Sequence, residues 1–200
     1  ADAQASPRVP ASIKFADQVI DLTSQDLYER MDRELIAFSF MHSTSILSLK
    51  RSERLFRVIE PILKEEGIPD DLKYLMVIES NCDPTSVSTA GAAGLWQFMQ
   101  ASGREYGLEI NANVDERYNI EKSTRAACKY LKNSYAKFGD WLTVAASYNA
   151  GPAAIQTRLK NQKQTSAMEL YLNAETSRYM FRVLAAKMMF EDPDSFGFHV

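Results

Sequence analysis

Apolar residues recur at helical spacing along most of this chain, and this periodicity constrains the fold more than any other feature. The first such series consists of Leu27, Met31, Leu35, Phe38 and Met41. Residues three and four apart share one face of a helix, and an apolar face must be buried. Gly and Pro, which interrupt helices, number only 8 and 7 among 200 residues. The pattern therefore predicts an all-α domain.

The same pattern predicts where the helices and loops lie. Further helices are expected at 45–66, 70–80, 95–106, 120–138, 141–148 and 153–159, with one or two more between 166 and 191. The first twenty residues mix small and polar side chains with two prolines and predict an irregular arm. The Ser-, Thr- and Gly-rich residues 81–94 predict a loop. A boundary near Ser48 separates an N-terminal arm and helical extension (1–48) from a domain at 49–200.

Composition and charge exclude several classes of protein. The net charge is −3, so no basic excess is available to neutralise phosphates, and nucleic-acid binding is not expected. No apolar run approaches the roughly 20 residues that span a bilayer. Two isolated histidines, His42 and His199, and two cysteines lack the spacing of a metal site, and no metal is expected. Cys82 and Cys128 fit either free thiols or one disulfide bridge.

Glu79 is the residue with the clearest catalytic potential. It follows the apolar run Leu75–Ile78 at the C-terminal end of the predicted helix 70–80. An apolar setting and the negative end of the helix dipole both favour the protonated carboxyl, which is what a general acid requires. The alternative is a glutamate that points into solvent at a helix end, and this segment alone does not distinguish the two.

Three ordered blocks carry a family resemblance. The first combines Glu79-Ser80, Pro84, Ser86 and Ser88 with the run GLWQFM at 94–99, the second is AASYNAGP at 145–152, and the third is ETSRY at 175–179. Together they resemble the soluble lytic transglycosylases, whose catalytic domain is lysozyme-like. The resemblance runs from about Glu65 to Leu184 and is greatest to the membrane-bound transglycosylase D group. It implies a helical fold of the goose-type lysozyme and transglycosylase kind, with an N-terminal helical extension.

The resemblance also implies an activity and a set of roles. Members of the family cleave peptidoglycan strands without water or a cofactor, and Glu79 corresponds to their single acid and base. Tyr179 is expected to reach back toward Glu79. Sugar contacts are expected from Ser88, Gln97, Tyr148 and Asn149, with Gln97 on the helix after the loop. A bacterial envelope, periplasmic location is implied, and the oligomeric state is left open.

Other interpretations of the same residues remain open at this stage. A goose-type lysozyme shares the fold but needs a second carboxylate, for which Asp83 and Asp115 are candidates. A non-catalytic glycan-binding module or a helical scaffold would use the same fold without chemistry. Tyr148 and Tyr179 also fit ordinary packing aromatics. Packing, rather than ligand contact, is expected of Trp96, Phe98 and Met99.

The chain departs from the family pattern at two positions. Gln100 stands where the family usually has Pro, and Cys82 stands where an aromatic residue is usual. The second departure puts the packing of the loop beside Glu79 in doubt.

Overall fold

A computed structural model of the chain describes residues 6–163 and 174–199, apart from the side chains of residues 42, 43 and 174. These residues are mostly helical, which confirms the predicted fold class. The helices are α1 (Gln25–Phe40), α2 (His42–Glu65), α3 (Lys73–Ser80), α4 (Gln100–Glu105), α5 (Ile120–Phe138), α6 (Trp141–Ala150), α7 (Pro152–Gln162) and α8 (Ala174–Glu191). Short 3₁₀ turns lie at Asp70–Leu72, Glu116–Tyr118 and Pro193–Phe196. Across the described residues, every helix is too short or too polar to span a lipid bilayer.

The N-terminal segment contains a β-hairpin, so the prediction of an irregular arm was wrong for residues 12–20. Strand β1 (Ser12–Phe15) pairs antiparallel with β2 (Gln18–Asp21), and Ile13 lies opposite Ile20. Successive side chains of a strand point to opposite faces, and one face of this hairpin is buried through Ile13, Phe15 and Ile20. Burial of that face offsets the entropy of ordering the segment.

The chain divides into two compact units, one formed by Ala1–His42 with Ser134–Val200 and the other by Ser43–Asn133. In the first unit, α1 packs on α8, α8 packs on α6, and α6 packs on α7. The first apolar series is largely core, because its members at 31, 35 and 38 are buried, although Met41 is exposed. Ser24 caps α1 by accepting a hydrogen bond from the Leu27 amide, as expected for a serine at this position. The division into 1–48 and 49–200 stays a prediction.

Helix α6 is fixed at both ends. At its start, the Asp140 carboxylate accepts a hydrogen bond from the Thr143 amide (2.9 Å), and the Gln18 side chain accepts one from the Leu142 amide (3.0 Å). The residues Trp141–Ser147 are buried. The helix ends where Gly151 adopts φ 89°, and Pro152 begins α7. The predicted break between these helices is confirmed, and α6 extends two residues further than predicted.

Helix α3 is the most buried helix segment of the second unit, with Tyr74–Val77 at its centre. The predicted start at Asp70 is a 3₁₀ turn that leads into the helix. The helix predicted from Leu95 was wrong at its beginning, because residues 94–97 form a turn, Phe98 pairs with Ala93, and α4 begins only at Gln100. A hydrogen bond from the Ala93 amide to the Phe98 carbonyl (3.0 Å) closes this turn instead. Of the one or two helices predicted between 166 and 191, α8 accounts for Ala174–Glu191, and residues 166–173 lie outside the described residues.

Candidate active site

Glu79 lies one residue before the end of α3 and is half-buried. Its helix ends at Asn81, whose φ is 52°, and the Ser80 hydroxyl donates to the Met76 carbonyl (3.0 Å). From α2, the Ser48 hydroxyl donates to the Asn81 carbonyl (3.2 Å). These bonds hold the backbone on the C-terminal side of Glu79. A carboxyl in this position lies at the negative end of the helix dipole and follows the buried residues Tyr74–Val77 in the chain.

The loop after α3 carries Ser88 and Gln97, which the sequence assigned to sugar contacts. The Ser88 oxygen accepts a hydrogen bond from the Ala92 amide (3.0 Å), so the hydroxyl hydrogen is still available to donate. Gln97 lies in a turn with φ 54°, which corrects its predicted place on a helix. The side-chain nitrogen Nε2 of Gln97 donates to the backbone carbonyls of Ser86 (3.0 Å) and Gly94 (2.9 Å). Gln97 therefore braces the loop from within.

Gly91 and Gly94 shape the loop that was predicted at residues 81–94. Both adopt positive φ, 93° and 81°. At Gly94 an added Cβ would lie 1.9 Å from the carbonyl oxygen of Arg117, a backbone atom that cannot swing aside. The loop thus lies directly against the 3₁₀ turn at Glu116–Tyr118, and only glycine permits that approach.

Arg117 fixes the loop from outside, and the sequence reasoning missed it. Its guanidinium is buried at 5% exposure and donates to the carbonyls of Gly91 (2.9 Å) and Phe98 (3.0 Å). The same group forms an ion pair with Asp115, at 3.0 Å from Nε and 2.7 Å from Nη2. One arginine therefore ties both sides of the loop to the turn before α5. No sequence motif signals this, since an isolated Asp-x-Arg is common on protein surfaces.

The two carboxylates considered for a hydrolase are both engaged structurally. Hydrogen bonds from Arg117 hold the pKa of Asp115 below its usual value. Asp83 accepts hydrogen bonds from the Thr85 hydroxyl (2.7 Å) and amide (2.9 Å), which hold its pKa low as well. A lowered pKa keeps both groups ionised. Arg117 bonds both oxygens of Asp115, and both bonds from Thr85 go to Oδ1 of Asp83.

The aromatic and apolar residues of the first block separate into two groups. Trp96 is fully buried, and its indole nitrogen donates to the Thr124 hydroxyl (3.0 Å). Phe98 is buried too. These two confirm the packing role that was predicted, whereas Met99 is 45% exposed and contradicts the expectation of burial.

Asn149 and Tyr179 lie in the first unit and line one cavity of about 460 Å³. Asn149 comes from the end of α6, and Tyr179, 6% exposed, comes from α8. Tyr148 precedes Asn149 and is half-buried. Helix α1 also lines the cavity and contributes Glu34, which the sequence did not indicate.

Glu34 is a buried carboxylate, at 3% exposure. Burial raises its pKa, and the charges of Arg178 and Arg182 oppose that effect in part. Arg178 Nε lies 3.3 Å from Glu34 Oε1, and Arg30 donates a short hydrogen bond to the Ser177 hydroxyl. The ETSRY block at 175–179 is thus held by helix α1. Glu34 shares a helix face with Met31 and Leu35, so the apolar periodicity carried a signal of its burial, but not of its partner.

The two cysteines are free thiols and both are buried. Burial raises the pKa of Cys82 and of Cys128 to about 12. Within the described ranges, no three His, Cys, Asp or Glu side chains lie together as potential metal ligands.

Two relatives of this chain are transglycosylases by name. Membrane-bound lytic murein transglycosylase D of Escherichia coli K12 is 32% identical over 174 residues, covering 84% of this chain and 38% of that protein. Peptidoglycan transglycosylase gp16 of phage T7 is 37% identical over 84 residues, covering 41% of the chain and 6% of gp16. The chain therefore spans well under half the length of these relatives.

A solved structure and a family profile define the class. The X-ray structure of an inactive mutant of the lytic transglycosylase Slt from Pseudomonas aeruginosa superposes with a TM-score of 0.57 at 21% identity, covering 68% of this chain and 24% of that chain. The fold is thus that of the lysozyme-like helical domains. The profile of the family described as Transglycosylase SLT domain matches residues 57–171. The chain belongs to this family.

Proposed function

We propose that this chain is the catalytic part of a peptidoglycan lytic transglycosylase, with Glu79 as its only general acid and base. The observation that carries the proposal is the position of Glu79, half-buried at the end of the buried helix α3 and followed by a rigidly held loop. Membership of the SLT domain family supports it. The murein and peptidoglycan substrates named for the relatives support the choice of substrate.

In the proposed reaction Glu79 acts twice. Its protonated carboxyl donates a proton to the oxygen that joins N-acetylmuramic acid to the next N-acetylglucosamine, and that C–O bond breaks. The 2-acetamido group of the muramic acid stabilises the positive charge on the anomeric carbon. The ionised Glu79 then removes the proton from the 6-hydroxyl of the same sugar, which attacks that carbon. The product carries a 1,6-anhydromuramic acid end, and Glu79 regains its proton, so no water is consumed.

The state of the other carboxylates favours this reaction over hydrolysis. An ordinary glycosidase needs a second carboxylate as nucleophile or as base for water. Asp83 and Asp115 are the sequence candidates, and both are held by local hydrogen bonds that serve the loop. An internal hydroxyl as nucleophile removes the need for either.

The remaining site residues are proposed to position the glycan. Ser88 has a hydroxyl hydrogen free to donate, and the brace made by Gln97 keeps the loop in one shape. Tyr148 and Asn149 carry over from the family blocks as further sugar contacts, and Tyr179 carries over as the residue expected to reach toward the catalytic carboxyl. Positioning of this kind lowers the entropy cost of reaching the reactive geometry. The proposed setting is the bacterial envelope, where glycan strands are found.

The test is the turnover of purified sacculi by Glu79→Gln. One positioned acid–base group is worth about 10²–10⁴-fold, and here it serves both proton transfers, so the variant should be nearly inactive. Glu105→Gln is the matched control, because Glu105 also ends a helix but is exposed. Its turnover should equal that of the wild type. Turnover by Glu79→Gln within fivefold of wild type, with an unchanged melting temperature, would refute the assignment.

A further inference from the structure

The chain turns sharply after Glu79 through two consecutive residues in the left-handed region of backbone conformation. Asn81 has φ 52° and Cys82 has φ 60°. In this region the Cβ of an L-residue crowds a carbonyl oxygen, so helices commonly end with a single glycine there. Asparagine adopts the conformation more readily than cysteine does. Such strain persists only where the surrounding structure imposes it, and it is concentrated at active sites.

The left-handed pair closes the last helical turn of α3, which contains Glu79. The Asn81 amide donates to the Val77 carbonyl (2.9 Å), and the ring that this bond closes encloses Glu79. The Asp83 amide donates to the Ser80 carbonyl (3.0 Å) and continues the turn. Helix ends fray unless they are held, because their last carbonyl groups have no partner within the helix. The direction of the Glu79 side chain therefore depends on the backbone conformation at Asn81.

Helix α2 supports this turn at two points. Ser48 is buried, at 3% exposure, and its hydroxyl donates to the Asn81 carbonyl (3.2 Å). Arg51 lies three residues further along the same helix face, and its Nη1 is 3.9 Å from Oδ2 of Asp83. Both members of that ion pair are partly exposed, so it contributes little. The Ser48 hydroxyl is therefore the stronger of the two supports.

We propose that Ser48 is a positioning residue for the reaction, which holds the left-handed turn at Asn81 and thereby fixes the direction of the Glu79 carboxyl. The inference rests on the proposed function, because it deepens the role given there to Glu79. Ser48 acts through the backbone of the turn, so its loss should slow the chemical step and leave glycan binding almost unchanged. Displacement of a reacting group by about 1 Å can lower turnover by about 10²-fold.

The experiment measures kcat and KM of Ser48→Ala on soluble peptidoglycan strands. The kcat should fall about tenfold, because the carboxyl is displaced but still present, and KM should stay within about twofold of wild type. Ser52→Ala is the matched control. Ser52 is also buried on α2, but its hydroxyl donates to the Leu49 carbonyl of its own helix (2.7 Å). Its loss should leave kcat within about twofold of wild type.

A second substitution tests the link to the turn. Asn81 is exposed, so Asn81→Gly leaves no cavity, and glycine adopts positive φ without strain. In the Ser48→Ala background it should raise kcat by at least about threefold, because the turn then needs less support. Amide hydrogen exchange gives a readout without substrate. The Asn81 and Asp83 amides should exchange about tenfold faster in Ser48→Ala than in Ser52→Ala.

Each outcome decides the proposal. A loss of kcat in Ser48→Ala alone, with faster exchange at the turn and recovery by Asn81→Gly, supports it. An unchanged kcat, an equal loss in Ser52→Ala, a loss confined to KM, unchanged exchange at the turn, or no recovery would overturn it. Melting temperatures show that each variant is folded under the assay conditions. A wild-type chain that cleaves no strands would refute the proposed function, and hydrogen exchange would still decide whether Ser48 holds the turn.

Discussion

Replacing Arg117 by Met tests whether the loop after Glu79 is held by a buried ionic clamp. The change removes the donors to the Gly91 and Phe98 carbonyls and leaves Asp115 without its ion pair. Each buried acceptor left without a partner costs about 1–3 kcal/mol. Gly91 is exposed and its carbonyl can turn to water, and the Phe98 carbonyl keeps its hydrogen bond from the Ala93 amide, so the largest cost comes from Asp115. The expected loss of unfolding free energy is about 3–4 kcal/mol.

Arg125→Met is the matched control for this change. Arg125 also makes two contacts, with Glu65 (3.2 Å) and Glu66 (3.1 Å), but its side chain is 42% exposed. Surface ion pairs contribute about 0–1 kcal/mol to stability, so Arg125→Met should lower the unfolding free energy by no more than that. Urea unfolding followed by circular dichroism measures both variants. Thermal unfolding should show a drop of roughly 6–15 °C for Arg117→Met, at about 2–4 °C per kcal/mol for a chain of this size.

The pH dependence gives this prediction a sign. Arg117 holds the pKa of Asp115 below its ordinary 3.8. A carboxyl with a lowered folded pKa contributes stability above its unfolded pKa and loses it as pH falls through the folded value. The gap between wild type and Arg117→Met should therefore narrow below about pH 4. A gap under 1 kcal/mol at pH 7, or one equal to that of Arg125→Met, would refute the clamp.

Three further changes test other parts of the account. Gly94→Ala should lower the unfolding free energy by at least about 3 kcal/mol, because φ strain adds to a backbone clash. Gly91→Ala has room for its Cβ and should lower it by about 1–2 kcal/mol. Equal losses for the two variants in urea unfolding would contradict the close approach at Gly94. Tyr179→Phe should lower kcat while leaving KM for glycan unchanged, and wild-type kcat would assign the hydroxyl to packing. Cys82 and Cys128, with pKa values of about 12, should resist labelling at pH 8 in the folded chain and react fully in denaturant; rapid labelling of the folded chain would contradict their burial.

Long helices were the part of the fold that the sequence predicted well. The helix at 120–138 has the predicted bounds, and the pair at α6 and α7 breaks where Gly151 and Pro152 indicate. Their apolar faces repeat over several turns, which makes the signal strong. The first block GLWQFM also shows apolar residues at helical spacing, yet tertiary contacts decide its shape. Gly94 and the Arg117 bonds hold it as a turn, and neither effect is local in sequence.

The sequence pattern of the β-hairpin was present but too weak to predict it. Ile13 and Phe15 alternate with polar residues on β1, as expected of a half-buried strand. The turn between the strands is Ala16-Asp17, without the Asn-Gly or Asp-Gly pair that marks tight hairpins. Ala16 adopts φ 56°, which alanine takes only when the surrounding structure imposes it. Two strands of four residues each also give too short a pattern to outweigh the nearby prolines.

In the candidate site, too, local sequence patterns could be recognised but tertiary contacts could not. Glu79 could be singled out, because an apolar helix that ends in a glutamate is visible in sequence and is followed by the ordered family blocks. The supports of the site could not, since Arg117, Ser48 and Glu34 act on residues far away in the chain. Such partners are set by packing of separate helices. The roles of Ser88, Gln97, Tyr148, Asn149 and Tyr179 toward substrate stay predictions.

The central claim is that Glu79 directs an internal attack, and the product of digestion in ¹⁸O-labelled water tests it most directly. Purified sacculi are digested to completion, and the muropeptides are weighed by mass spectrometry. Internal attack by the 6-hydroxyl predicts 1,6-anhydromuramic acid ends that are lighter than hydrolysed ends by one water and contain no heavy oxygen. Reducing ends that carry ¹⁸O would contradict the account, and would identify a hydrolase in which Asp83 or Asp115 supplies the second carboxylate.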